Sequence, residues 1–421
     1  MATAARDIDV LVARSARASS ETAPGAAFEA LLPSAPVDCR LRITPAAAPF
    51  AAILAGFAML AREGRVRLDL EVVPAAPARA HGPWYLRDKD RPLARLEVDG
   101  GGSAIIDTHD SFEVEEEDLA RHDLYFKRSL APASLRRAGG SKLRALAPLN
   151  DVRCDHRDTF ELRSELAAAG SGAGRLRTLL RWHARWAAAR ALDRGGRPSW
   201  SRMHAAPLPG QPGRVLLMAG LWDPAAVPAI DTAKRQEWEA INRQRVECVR
   251  ALRTEFGPRF HGGIRPCGFA RRFAPDVLLP RARDGSQREF LRRVREHPVC
   301  VTSMGLHGSN GWRLAEFVAF SRAIVSEPLR HLLAGEFDAG RHYLEFKTPG
   351  ECVAQVARLL ADADEREAMA RRNWDYYQHW QRPDRLALRV LALTSAATRI
   401  PPSTRAVAAR PPSTARVDLV D

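Results

Sequence analysis

From Val299 to Ser326 the chain passes through a β-prone run, a glycine loop, an apolar helix and a second β-prone run, and few folds accommodate that order. The two runs, Val299-Cys300-Val301-Thr302-Ser303 and Ala323-Ile324-Val325-Ser326, are separated by a helix-length segment, so that segment must cross over. A right-handed βαβ unit and a parallel sheet follow. The loop offers Gly305, Gly308 and Gly311, which let the backbone approach a ligand closely, and the helix opens with free N–H groups that attract phosphate. Glu316 is the helix's one carboxylate, among Leu314, Ala315, Phe317, Val318, Ala319 and Phe320. A helix apolar nearly all round packs inside a domain, and a charge on it needs a partner. In an open α/β sheet the ligand lies beyond the carboxyl ends of the strands, where such a Glu can accept hydrogen bonds from ribose hydroxyls. The segment therefore predicts a nucleotide site built from Gly308, Ser309, Asn310, Gly311, Trp312 and Glu316. A structural βα turn, with a Glu that only caps or salt-bridges, is the competing reading.

The chain has 421 residues, too long for one ordinary core and suited to two domains with appendages. No run reaches the length of a membrane span, and Met1 to Arg14 mixes acid and base without an apolar signal core, so the expected address is cytoplasmic. Six cysteines at 39, 154, 248, 267, 300 and 352 lie far apart with no CxxC pair, which argues against a zinc ribbon or a disulfide framework. Net charge is +14; five of the 64 basic residues are Lys, leaving 59 Arg. A basic surface attracts nucleic acid, anionic lipid and nucleotide diphosphates alike. Recognition helices, aromatic RNP-like strands and zinc fingers are missing from the sequence, so specific nucleic-acid reading is not expected.

Composition and periodicity divide the chain. Residues 1–206 read as an N-terminal α/β domain with a helical, Arg-rich insertion near 160–192. Ile8–Val12 is a strand candidate, Phe50–Ala61 an apolar helix, and Val66–Val73 alternates with period two. Leu93–Val98 and Ser103–Asp107 flank Asp99-Gly100-Gly101-Gly102, a hairpin signal. After the Pro/Gly-rich linker Pro207–Gly213, a second domain spans 214–382, opening with the apolar strand Arg214–Gly220 and a long helix over Lys234–Phe256. Thr348-Pro349-Gly350-Glu351 predicts a helix start. The Leu-rich segment 383–396 suits a helix crossing back to the first domain, and 397–421 has the composition of a disordered tail.

The glycine loop, the apolar Glu-bearing helix and the Ile324-Val325-Ser326-Glu327-Pro328-Leu329 strand resemble the C-terminal half of bacterial glycosyltransferases with the GT-B fold, of the group 1 and exostosin-like kind. The resemblance runs on through His342–Phe346, Thr348–Cys352 and Asn373–Tyr377, roughly the last 180 residues. Asp107–Asp110 and Asp123–Ser129 carry it more weakly upstream. Position 342 is His where relatives often have Asn, and Gly308 stands where group 1 retaining enzymes carry a second Glu, so the resemblance implies no stereochemical outcome. It implies two Rossmann-like domains facing across a cleft, with a nucleotide-diphosphate-sugar donor in the second and a saccharide or glycolipid acceptor as partner. No resident cofactor or metal is implied, and peripheral contact with an anionic membrane would fit the basic charge.

Beside that motif, Arg265 after Gly262-Gly263, and Lys127 with Arg128 at a strand end, are candidates for the donor diphosphate, though solvated arginines and a surface pair read equally well. Asp110 and Asp107 end a strand in a turn, where one could serve as general base for an acceptor hydroxyl; Asp is also a favoured turn residue. His109 and His122 are weaker alternatives. Asp88-Lys89-Asp90 matches a DxD metal signature but reads as a solvated turn. The expectation is a metal-independent glycosyltransferase, of the kind that builds surface polysaccharide or lipopolysaccharide. The alternatives are a nucleotide-sugar epimerase on the same fold and a non-catalytic basic protein that binds nucleic acid or membrane.

Overall fold

A computed structural model describes residues 24–43, 47–72, 93–100, 102–153, 166, 169, 172–192, 198–227 and 230–397. The candidate strand Ile8–Val12, the triplet Asp88–Asp90 and the tail beyond Ala397 lie outside the described residues.

The first domain holds α1 (Pro24–Glu29), β1 (Val37–Ile43), α2 (Ala47–Arg62), β2 (Val66–Val72), β3 (Leu93–Val98), β4 (Ser103–Asp107), α3 (Glu116–Arg121), β5 (Leu124–Lys127), β6 (Leu143–Ala145) and α4 (Gly172–Leu192). Its sheet runs β2-β1-β3-β4-β5-β6. The outer pairs are parallel, but β3 is antiparallel to both β1 and β4, the chain folding β4 back on β3 with Leu93 opposite Asp107. This half is thus a mixed sheet, a departure from a fully parallel Rossmann order.

The second domain holds β7 (Val215–Ala219), α5 (Thr232–Phe256), β8 (Phe260–Ile264), α6 (Gly268–Phe273), α7 (Gln287–Glu296), β9 (Val299–Thr302), α8 (Trp312–Ala319), β10 (Ala323–Ser326), β11 (Leu344–Glu345), α9 (Pro349–Ala361) and α10 (Ala363–Tyr376). All five strands are parallel, in the order β8-β7-β9-β10-β11. Strand residues alternate between two cores. Val215, Leu217, Val299, Val301, Ala323 and Val325 pack with Val249 and Leu252 of α5 and Val356 and Leu359 of α9. Leu216, Met218, Cys300 and Ile324 pack with Phe290 and Val294 of α7 and Leu314 and Phe317 of α8. Helices cover both faces, so β7, β9 and β10 are largely apolar runs without polar alternation. α9 starts at its expected cap: the Thr348 hydroxyl accepts from Glu351 N–H at 3.2 Å, with Pro349 in the first turn.

A π turn over Tyr377–Gln381 redirects the chain into α11 (Pro383–Ala397), which leaves the second domain and packs against α2 of the first. Close approach requires glycine at the crossing: a Cβ at Gly56 would lie 1.9 Å from the Pro383 carbonyl oxygen. Arg389 fastens the helix by donating to the Ala145 carbonyl at 2.9 Å, with its guanidinium 5.7 Å from the Phe126 ring centre. The domains also meet where Leu332 N–H donates to Leu130 O at 2.8 Å. The architecture is two Rossmann-like α/β domains facing across a cleft, closed by a crossover helix, as in GT-B enzymes. Among the described residues no helix is long and apolar enough to cross a membrane.

Candidate functional site

In the order β8-β7-β9-β10-β11, connections leave β7 and β9 in opposite directions, so the carboxyl ends of these neighbours part and leave a crevice. A cavity of about 220 Å³ occupies it. Leu217–Gly220 from β7 and Val301–Ser303 from β9 form its floor; Arg245 of α5, the loop residues Gly305, Leu306, Ser309 and Gly311, and Trp312 and Arg313 of α8 form its walls. Asp110 faces them from the first domain.

The loop between β9 and α8 is tightly built. Gly305 N–H donates to Ser309 O at 2.8 Å, and His307 takes the left-handed conformation at φ 59°. A Cβ at Gly311 would come within 2.8 Å of the Ser303 carbonyl, so only glycine lets the start of α8 lie against the end of β9. No side chain caps that end of the helix, and its first residues, Gly311, Trp312 and Arg313, line the cavity. Gly308 and Asn310 face the other way. Gly308 N–H donates to Glu237 at 3.2 Å, and Asn310 Nδ2 donates to His331 O at 3.0 Å.

Two arginines give the cavity its charge. Arg245 donates from all three guanidinium nitrogens, to Ser303 Oγ at 2.8 Å, Gly220 O at 2.7 Å and Met304 O at 2.9 Å, bridging the ends of β7 and β9. Burial pushes its pKa down to about 10, opposed by the nearby Glu327 carboxylate. Glu327 in turn is held above the usual carboxylate range by burial, while accepting from Met304 N–H at 2.9 Å. Arg313 lies 3.4 Å over the Phe290 ring and donates to Glu316 at 2.8 Å. Arg265 is exposed at the rim; a Cβ on Gly220 would be 3.5 Å from its Nη2.

Several expected roles change with this geometry. Glu316 does not line the cavity. One of its oxygens accepts from Gln287 Nε2 at 2.6 Å and the other from Arg313, so it anchors Arg313 from behind instead of facing a ribose. Asp107 and Lys127 are fully buried and paired at 3.1 Å, because parallel pairing of β4 with β5 sets them side by side in register. Asp107 also accepts from Tyr125 Oη at 2.7 Å and His109 N–H at 2.9 Å, and Lys127 donates to His109 O at 3.0 Å. A fully hydrogen-bonded, buried pair can neither take a proton from an acceptor nor reach a diphosphate, so both residues are structural here. Asp110 alone of the two acids meets the cavity, paired with Arg128, whose guanidinium stacks 4.0 Å over Trp312 of the opposite domain.

Arg245, Arg313 and Ser303, together with Trp222, which also lines the cavity, are site residues that the sequence does not single out. Nothing distinguishes Arg245 among 59 arginines, but the spacing of Arg313 three residues before Glu316 on one helix face was an available signal.

Two α/β domains are joined by a crossover helix, with a basic cavity at the switch point of the second, which is the layout of the GT-B fold. Residues 245–389 match the family model described as glycosyl transferase-like. The chain is also similar to solved structures. The C-terminal domain of a group 1 glycosyl transferase (LpcC) from Francisella tularensis aligns at 14% identity over 41% of this chain and 86% of its own, with a TM-score of 0.24. A Staphylococcus aureus TarM variant in complex with fondaparinux, α-GlcNAc-glycerol and UDP aligns at 13% over 73% of this chain and 65% of its own (TM-score 0.29). The pneumococcal O-GlcNAc transferase GtfA in complex with UDP and GlcNAc aligns at 10% over 74% and 66% (TM-score 0.29). No curated protein matches the chain.

Proposed function

We propose that the chain transfers a sugar from a nucleotide-diphosphate donor, bound in the cavity of the second domain, to a saccharide or glycolipid acceptor that enters from the first. One observation carries this reading: the switch-point cavity is walled by a helix N-terminus and two arginines, and the opposite domain sets a carboxylate against it. The reaction leaves a nucleoside diphosphate, and its developing charge is where fixed N–H dipoles and guanidinium groups act most strongly. Arg245 and Arg313 supply that charge from within, and Arg265 adds to it from the rim. Arginine thus takes the place of a metal ion in this proposal. Asp110, paired with Arg128, is the acceptor-side base, and closure of the cleft orients the two substrates.

Calorimetric titration with a panel of nucleoside diphosphates tests the donor half. Binding should be saturable, and Arg265→Ala should weaken it about tenfold, the worth of one charge-assisted hydrogen bond, without altering thermal stability because the side chain is exposed. Failure of every nucleoside diphosphate and nucleotide sugar to bind would overturn the reading.

A further inference from the structure

The helix α4 is amphipathic twice over. Its 21 residues contain no acid and five arginines, at 175, 177, 181, 185 and 190. Among the described side chains of the helix Thr178 and Trp182 are buried, and at 100° per residue they share one face. On the opposite face, Ala173, Leu176, Leu180, His183, Ala184 and Ala187 fall within one arc, and all are exposed. Leu176 and Leu180 are 58% and 62% exposed, among the most exposed large apolar residues described in the chain. Arg177 and Arg181 border that arc, and both are exposed.

A solvated face needs no leucines, and a buried face would not be fringed with guanidinium groups. We propose that α4 is a membrane-docking helix that lies in the interface of an anionic lipid surface, with Leu176 and Leu180 sunk among the acyl chains and Arg177 and Arg181 against the headgroups. An apolar stripe bordered by exposed cations suits such a surface: the leucines gain by leaving water, and the arginines gain from the negative potential of the leaflet. Polynucleotide would use the arginines and leave the leucines in water, so the exposed leucines decide for lipid. The net charge of +14 favours approach to the same surface.

The full-length chain is sedimented with vesicles of phosphatidylcholine alone and of phosphatidylcholine mixed with phosphatidylglycerol, at low and high salt. It should sediment with the anionic vesicles and be released by salt. The double variant Leu176→Ser/Leu180→Ser should lose about tenfold in partitioning with an unchanged melting temperature, since neither side chain packs in the core. Arg177→Gln/Arg181→Gln should lose binding to anionic vesicles selectively. Equal sedimentation of the leucine variant and the parent would overturn the proposal. So would retention of the parent on single-stranded nucleic acid in preference to vesicles, or binding to neither. The measurement uses no nucleotide, so its failure is independent of the donor-site reading.

Discussion

At the scale of single residues, arginine in this chain is sorted by what each guanidinium meets. Arg128 is buried and pairs with Asp110, and burial lowers its pKa, while Arg292 on the surface of α7 is held charged by Glu289. The case with a decisive test is Arg313, fixed by Glu316. Glu316→Gln keeps the acceptor for Gln287 but removes the charge opposite a guanidinium that is one-third exposed. Unfolding free energy should fall by roughly 1 kcal/mol, discounted for solvent screening, as read from denaturant titration. Unchanged stability with a selective loss of nucleotide affinity would return Glu316 to ribose binding.

At the scale of elements, the β9–α8 unit and the crossover helix hold the site. The crossover was legible: apolar strands around a glycine loop and a helix-length segment leave one connection, and the Leu-rich run after Pro383 reads as a helix. Where that helix lands was not legible, because its contacts with α2 lie more than 300 residues away in sequence. Contact between α2 and α11 depends on the absence of a side chain at Gly56. Gly56→Ala should cost about 1–3 kcal/mol or more, because the added methyl meets a backbone carbonyl that no rotamer change can move aside. A melting curve indistinguishable from the parent's would show that α11 shifts freely.

At the scale of the whole molecule, burial of histidine couples stability to pH. His297, His331 and His342 are each held down to about 4, first by desolvation. Neighbouring cations add to this, Lys127 and Arg330 at His331 and Arg341 at His342. A folded-state pKa below the unfolded value near 6.5 means that the unfolded chain binds more protons between those values. Stability from this source is therefore present above about pH 6.5 and is lost as pH falls toward 4. With three such groups the slope reaches at most about 4 kcal/mol per pH unit. Denaturant unfolding at pH 7, 6 and 5 should show a progressive loss, and a flat profile would contradict it.

The sequence by itself determined what depends on neighbours along the chain: the parallel βαβ unit, the hairpin at Asp99–Gly102, the cap at Thr348 and the division into two α/β halves. Each rests on a local period or a residue whose backbone preference acts in place. Tertiary structure decided which charged groups meet the cavity. Asp107 and Asp110 are three residues apart at one strand end, yet register with β5 ties the first to Lys127 inside the sheet and leaves the second at the cleft. Burial and pairing are properties of surfaces brought together from distant parts of the chain. For that reason Lys127 and Glu316 read as ligands in the sequence and are braces in the fold, while Arg245, anonymous among 59 arginines, bridges the two strand ends that form the cavity floor.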